Sequence, residues 1–360
     1  MGVNMKTYGV IMAGGGGTRF WPLSRQELPK QLLNLTGKDL MVNETIDRLE
    51  GNVEKEDIFI VTNVAQAELM LEATSGRVRE DHILAEPAAR NTAACVGYAA
   101  MEILTKYGDG IMCVLPSDHY IKKANVYKSV IADAVKIAEE TEALVTIGIQ
   151  PTFPSTGYGY IRHGEEKTGA GYYTVRHFVE KPNLQKAREY LLSGEYLWNS
   201  GMFIWKASVI MSYLEKLLPD VYECLQKIGA AMGTETERDV IQKIYPEIPK
   251  ISIDYGIMER AEKVLVLEGD FGWSDVGSWD ALEALYDKDE YGNITYGEQV
   301  HIDTHDCIIY AKNKLVTTIG LDNIVVVETE DAVLVCDKNR AQEVKKIVEA
   351  LEDCNKRQYL

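Results

Sequence analysis

The chain has 360 residues, 46% hydrophobic and 26% charged, enough to bury a full core as one large domain with a small appendage. Its formal charge of -17 excludes nucleic acid and anionic membrane as partners, because both need an extended basic surface. Any anionic ligand must be held by a few local cations and backbone amides. The six cysteines (Cys95, Cys113, Cys224, Cys307, Cys336, Cys354) are scattered, with no CxxC pair and no adjacent His cluster, so neither zinc nor a disulfide framework is expected. No apolar run reaches membrane-spanning length, and residues 1–7 lack the layout of a secretory leader. A cytoplasmic, unprocessed protein is the expectation.

Short apolar runs alternate with helix-like stretches along the first half. Residues 8–13, 58–62, 83–86, 111–115 and 144–149 read as buried strands, and 92–107 and 126–141 as helices. Such alternation predicts a largely parallel sheet with helices on both faces. From Thr156 the pattern turns Gly- and Tyr-rich and leads into 172–179, which predicts antiparallel strands beside the parallel core and a place for a second substrate. Residues 277–286 read as a helix. Beyond it, 291–336 breaks into short strands (300–302, 307–310, 315–319, 324–328, 332–336) separated by Asp, Asn and Gly. A boundary near Asp289 divides the chain into 1–288 and 289–360, the latter a small β-solenoid or sandwich closed by an amphipathic helix over 341–351, with no clean repeat period.

Directly after the first strand stands Ala13-Gly14-Gly15-Gly16-Gly17-Thr18-Arg19-Phe20-Trp21-Pro22-Leu23-Ser24-Arg25, followed by Pro29-Lys30-Gln31. Glycines at a strand's carboxyl end let backbone N–H groups close on phosphate oxygens. A Walker A loop would need GxxxxGK[ST], but the run ends in Thr18-Arg19, and Gly37-Lys38 is followed by Asp39. A dinucleotide fingerprint would need glycine where Arg19 or Phe20 stands. What remains is a glycine loop with two cations, Arg19 and Lys30. That layout suits a triphosphate and its leaving pyrophosphate, set against the plainer alternative of a surface turn with a solvated arginine.

GGxGTRxxPLSR followed by PK resembles the signature of the nucleotidyl transferases that join nucleoside triphosphates to sugar 1-phosphates, and Trp21-Pro22-Leu23-Ser24-Arg25 resembles their mannose-1-phosphate guanylyltransferase branch. The resemblance implies an α/β fold: a Rossmann-like, glycosyltransferase-A-like mixed sheet flanked by helices, with a small C-terminal left-handed β-helix that contributes to a homodimer. It implies GTP and mannose 1-phosphate as substrates, Mg²⁺ as cofactor, and attack of the sugar phosphate on the α-phosphorus without a covalent enzyme intermediate. Arg19, Lys30 and Lys181 would be the catalytic cations. Ala13, Gly14, Gly15, Gly16, Gly17, Thr18 and Ser117 would contact the nucleotide.

Further motifs extend the resemblance over most of the chain. Glu86-Pro87-Ala88-Ala89-Arg90-Asn91-Thr92-Ala93 resembles the EPxxRNTA segment, placing Glu86, Arg90, Asn91 and Thr92 at the base, where carboxylate and amide can match a purine edge. Asn91 or Thr92 could equally cap a helix, and the family's following proline is replaced by Ala94-Cys95. Asp118, after the strand 111–115, and Asp275, in a segment similar to GWSDVGSW, correspond to the family's two metal ligands, although each alone could be a helix cap. His119 is expected to be structural, since a sugar phosphate is already ionised near neutral pH. Gly157, in Thr156-Gly157-Tyr158-Gly159-Tyr160-Ile161, would permit close approach of the sugar. Lys181 and Glu180 of an FVEKP-like motif would meet the sugar's phosphate and hydroxyls, with a solvated ion pair as the plainer reading. Asn199, in an NSGMF-like motif, and Asp254, in a SIDYxxME-like one, would line the same pocket.

The nearest alternatives are a transferase for glucose, a heptose or another base, and a non-catalytic sugar-nucleotide-binding relative. Retention of Arg19, Lys30, Asp118, Lys181 and Asp275 disfavours the second. Bifunctional members carry a further isomerase domain, for which a chain ending at Leu360 leaves no room, so no isomerase activity is expected.

Overall fold

The uncharged run TYGVIM forms strand β1 (Thr7–Met12), its four middle residues buried, as interior strands of parallel sheets require. The computed structural model to which it belongs describes residues 5–166, 169 and 171–360. Of the stretch 1–7 read for a leader, residues 1–4 lie outside the described ones.

By packing, the chain divides into two units, neither continuous in sequence. The first holds the chain up to Gly14, Thr45–Ser117 and Lys123–Trp273; the second holds Gly15–Glu44, Asp118–Lys122 and Ser274–Leu360.

The first unit is built on one mixed sheet. After β1 come β2 (Ile58–Asn63), β3 (Ile83–Glu86) and β4 (Ile111–Pro116), all in parallel register, with Gly9 opposite Ile58 and Thr7 opposite Ile111. The two-residue strand β5 (Tyr120–Ile121) belongs to the second unit. The sheet continues with β6 (Leu144–Ile149), β7 (Tyr160–Glu166), β8 (Tyr172–Val179), β9 (Tyr196–Lys206) and β10 (Val264–Glu268), in spatial order β3-β2-β1-β4-β9-β6-β10-β8-β7. β6 and β10 are parallel, whereas β7, β8 and β9 pair antiparallel. The sheet is therefore less parallel than the alternation predicts. The strand responsible is β9, inserted between β4 and β6, whose apolar pattern YLWNSGMFIWK is interrupted by Asn199-Ser200-Gly201 and so gives no clear strand signal.

The helices are α1 (Met41–Asp47), α2 (Ala67–Ala73), α3 (Thr92–Lys106), α4 (Ala124–Thr141), α5 (Leu184–Ser193), α6 (Ala207–Leu217), α7 (Pro219–Gly229), α8 (Glu237–Ile244) and α9 (Lys345–Asp353). Within the first unit α3 is nearly all apolar in its first three turns and packs on α6 and α7. Its core includes Tyr8, Val10, Phe203, Trp205 and Ile228.

In the second unit, beyond β11 (Trp273–Ser274), whose last residue opens the unit's final segment, the chain winds as a β-helix-like coil. β12 (Ile294–Tyr296), β14 (Ile308–Ala311) and β16 (Ile324–Glu328) stack in parallel, β13 (Gln299–Ile302) pairs in parallel with β15 (Val316–Ile319), and β17 (Val333–Asp337) closes antiparallel on β16. The coil shares one core with the glycine-loop segment: Phe20, Trp21, Val276, Trp279, Ile308 and Val325 pack together. The helix expected over 277–286 is a 3₁₀ turn, Trp279–Ala284, entered from an extended Ser278. The helix expected over 341–351 is split into a 3₁₀ segment, Lys338–Val344, and α9. The Asp337 carboxylate accepts from the Asn339 N–H at 2.8 Å, which tightens the entry turn.

Candidate active site

The glycine loop leaves β1 and enters a 3₁₀ turn, Thr18–Phe20, through Gly17 at φ +60°. A Cβ on Gly17 would lie 2.3 Å from Lys30 Cβ and 2.9 Å from its backbone nitrogen, so the turn and Lys30 can approach only because that side chain is missing. Ser24 Oγ donates to Gly17 O at 2.7 Å, and Gln31 Nε2 donates to Gly15 O at 3.1 Å, fixing the loop from both sides. Gly14, Gly15 and Gly16, together with Thr18 and Arg19, are exposed.

Lys30 is 4% exposed, and a buried ammonium requires partners. It has two: Asp118 Oδ2 at 2.9 Å and the Asp275 carbonyl oxygen at 2.7 Å. Burial acts to raise the Asp118 carboxyl, but the Lys30 ammonium, His119 and the hydrogen bond from Lys30 outweigh it and hold it below the usual carboxylate range. Arg19 reaches Gly277 O at 3.4 Å. Arg19, Lys30, Asp118, His119 and Asp275 line one cavity of about 320 Å³, all within the second unit. The backbone after Asp275 is strained: Val276, β-branched and fully buried, sits at φ +46°, a conformation costing about 1–3 kcal/mol. Its N–H donates to Ser274 Oγ at 3.1 Å, and its side chain is locked in the core, which together hold the turn that presents Asp275.

In the first unit the expected base-side residues gather at the start of α3. Asn91, at φ +68°, is the N-cap, its Oδ1 accepting from the Thr92 N–H at 2.8 Å. Thr92 Oγ1 accepts from the Ile253 N–H at 2.8 Å. Arg90 donates to the Pro246 carbonyl. Glu86 is buried at the end of β3, takes a hydrogen bond from the Tyr245 hydroxyl, and lies close enough to Gly14 that a Cβ there would be 3.2 Å from its Oε2. Burial pushes its carboxyl up to about 7 against the opposing hydrogen bond from Tyr245. Ala13 is tied to β2 through Val61 O at 2.8 Å, and the Ser117 N–H to Met12 O at 3.1 Å.

The residues expected at the sugar also converge in the first unit. The ladder between β6 and β9 shifts register between Thr146 and Gly148, opposite Asn199, and such bulges re-aim side chains. Asn199 Oδ1 accepts from the Gly201 N–H at 3.0 Å, so its Nδ2 is the atom that donates to Asp254 Oδ1 at 2.8 Å. Burial and the nearby Glu180 raise the Asp254 carboxyl to about 6. Lys181, exposed and at φ +42°, pairs with Glu180 Oε1 at 2.7 Å. The glycine that allows this crowding is Gly159, where a Cβ would lie 2.7 Å from Glu180 Oε2 and 3.3 Å from Asn199 Cβ. Gly157 is exposed and donates to Ser155 Oγ at 3.2 Å. Sequence reasoning passes over Gly159, which stands in the same motif, and Tyr245, which carries no motif signal.

A glycine loop at the end of the first strand of a mixed sheet, with cations and two carboxylates on one cavity, describes a nucleotidyl transferase. The family model for Nucleotidyl transferase matches residues 8–291, and that for the MannoseP isomerase/GMP-like beta-helix domain matches 297–351. A mannose-1-phosphate guanylyltransferase of Klebsiella pneumoniae is 41% identical over 354 residues, spanning 97% of this chain and 75% of the relative. One from Escherichia coli strain K12 is 40% identical, spanning 96% and 74%. A Thermus thermophilus crystal structure, described as a mannose-1-phosphate geranyltransferase, superposes with TM-score 0.88 at 36% identity over 97% of this chain and 100% of that one. The chain belongs to the Nucleotidyl transferase family, in the branch of the mannose-1-phosphate guanylyltransferases.

Proposed function

We propose that the protein transfers GMP from GTP to mannose 1-phosphate, giving GDP-mannose and pyrophosphate. The observation that carries this reading is the cavity of the second unit, where a glycine turn, Arg19 and a buried Lys30 share a wall with Asp118 and Asp275. A phosphate oxygen of mannose 1-phosphate forms the new bond to the α-phosphorus of GTP. The bond from that phosphorus to the bridging oxygen breaks, and its electron pair leaves with pyrophosphate. The nucleophile is already ionised, so no side chain need take a proton, and catalysis is positioning plus charge neutralisation. Lys30, fixed by two partners, and Arg19 stabilise the charge that builds on the leaving group. In the first unit Glu86, with Asn91 and Thr92 beside it, faces the donors of a guanine edge. Lys181 holds the sugar's phosphate, while Glu180, Asn199 and Asp254 accept from or donate to its hydroxyls.

Asp118 and Asp275 fit a Mg²⁺ ion. Both are oxygen donors on the wall of the same cavity, and among the described residues no cluster of three or more His, Cys, Asp or Glu side chains competes for a softer metal. The two carboxylates would hold the ion, which would neutralise charge on the phosphates. Asp275→Asn, and Asp118→Asn with the added loss of a charged partner of Lys30, should stay folded, lose turnover and need more Mg²⁺. The reading as a whole is tested by pyrophosphate release across four nucleoside triphosphates and several hexose 1-phosphates. GTP with mannose 1-phosphate should give the highest kcat/KM, and a clear preference for UTP or dTTP with glucose 1-phosphate would overturn it.

A further inference from the structure

The cavity that gathers Arg19, Lys30, Asp118 and Asp275 has another full charge in its wall, supplied from much further along the chain: Lys345, the first residue of α9. None of the motifs that mark the site includes it. Its backbone is nevertheless fixed, because Val344 and Ala341 are buried in the core that holds Phe20 and Trp21. The terminal segment is tied down further where Trp21 Nε1 donates to Tyr359 O at 2.7 Å and Gln342 Nε2 donates to Ser278 Oγ at 2.6 Å. Among the described residues Lys345 has no ion-pair partner, whereas its neighbour Lys346 is held by Glu343 at 2.8 Å.

Charge decides what that ammonium can do. Arg19 and Lys30 are cancelled by Asp118 and Asp275, and Lys30 already commits its ammonium to Asp118 and the Asp275 carbonyl. Without Lys345 and the metal the cavity is neutral in total, a poor trap for a triphosphate with about four negative charges; a bound Mg²⁺ would offset two of those charges and Lys345 offsets a third. Building on the reading given under the proposed function, we propose that Lys345 is a third phosphate-binding cation, which holds the pyrophosphate portion of the nucleotide and the free pyrophosphate of the reverse reaction. The terminal helix is thereby part of the active site.

The test compares Lys345→Ala, Lys345→Arg and the neighbouring Lys346→Ala in both directions. Lys345→Ala should raise KM for GTP, and for pyrophosphate with GDP-mannose, by about tenfold, the low end for a charge-assisted contact because the residue is exposed. KM for mannose 1-phosphate and for GDP-mannose should change less than about twofold. Lys345→Arg should restore most of the loss and Lys346→Ala should resemble the parent. Unchanged KM for pyrophosphate in Lys345→Ala, or an equal change for every substrate, overturns the proposal. If the parent protein fails to use GTP or GDP-mannose, the functional reading falls separately. Calorimetric titration of pyrophosphate with Mg²⁺ into parent and variant then still decides the role of Lys345, equal affinities refuting it. A thermal melt of each variant separates lost contacts from lost fold.

Discussion

Glu86 has a carboxyl that burial pushes up to about 7, from about 4.5 in an unfolded chain. Folding therefore favours its protonated form, and the stabilisation, present in full below about pH 4.5, is lost as pH rises through 7. On the proposed reading the N–H groups of guanine pair with the ionised form, so binding and protonation compete. Guanosine, which carries no phosphate titrating in this window, should release a fraction of a proton when titrated at about pH 6.5 in buffers of different ionisation enthalpy, with affinity rising between about pH 6 and 8. Glu86→Gln should abolish both effects, and a parent protein that binds guanosine without releasing protons would remove Glu86 from the base site. Gly17 makes a sharper steric case. Ala at φ +60° costs about 1–2 kcal/mol and its methyl would displace Lys30 from Asp118. Gly17→Ala should lower the melting temperature and cut turnover about a hundredfold. Gly16→Ala, whose methyl would meet only Thr18 at 4.0 Å, should melt like the parent, and equal effects of the two would contradict this account of the turn.

The coil of the second unit turns one of its corners on a single carboxylate. Glu328, at the end of β16 and 3% exposed, accepts from the N–H groups of Lys312, Asn313 and Lys314 at 3.0, 2.7 and 3.1 Å. Burial acts to raise its carboxyl, but those backbone donors and the Lys314 charge hold it below the usual range. Its contribution is present above the unfolded value of about 4.5 and fades as pH falls through the folded one. Glu328→Gln should cost about 1.5–3 kcal/mol at pH 7, read by urea unfolding, with the difference shrinking toward about pH 3. Equal unfolding midpoints at pH 7 would show that the corner is held by packing alone. The same coil shows why its strands are legible but its repeat is not. Ile294 stacks on Ile308 and Ile308 on Val325, so successive rungs differ in length and leave no period to find. The 3₁₀ turn Trp279–Ala284 reads as a helix in the sequence because apolar residues three apart serve either geometry.

Across the whole molecule, the sequence marks the motifs but not the company their residues keep. That Lys30 pairs with Asp118, or that Trp279 Nε1 donates to the Trp21 carbonyl at 3.0 Å, depends on packing between distant segments, to which local pattern is blind. On the proposed reading the two phosphate-binding lysines divide the labour. Lys30→Ala, in the second, should impair use of GTP and pyrophosphate, and Lys181→Ala, in the first, should raise KM for mannose 1-phosphate, each roughly tenfold to a hundredfold. Equal weakening of the same substrate by both would contradict the assignment. The central claim is that a sugar phosphate oxygen attacks the α-phosphorus and that pyrophosphate leaves intact. It is tested most directly with mannose 1-phosphate labelled with heavy oxygen throughout its phosphate, incubated with GTP and Mg²⁺, and mass spectrometry of both products. All of the label should appear in GDP-mannose and none in pyrophosphate; label in the pyrophosphate, or no GDP-mannose at all, would contradict the account.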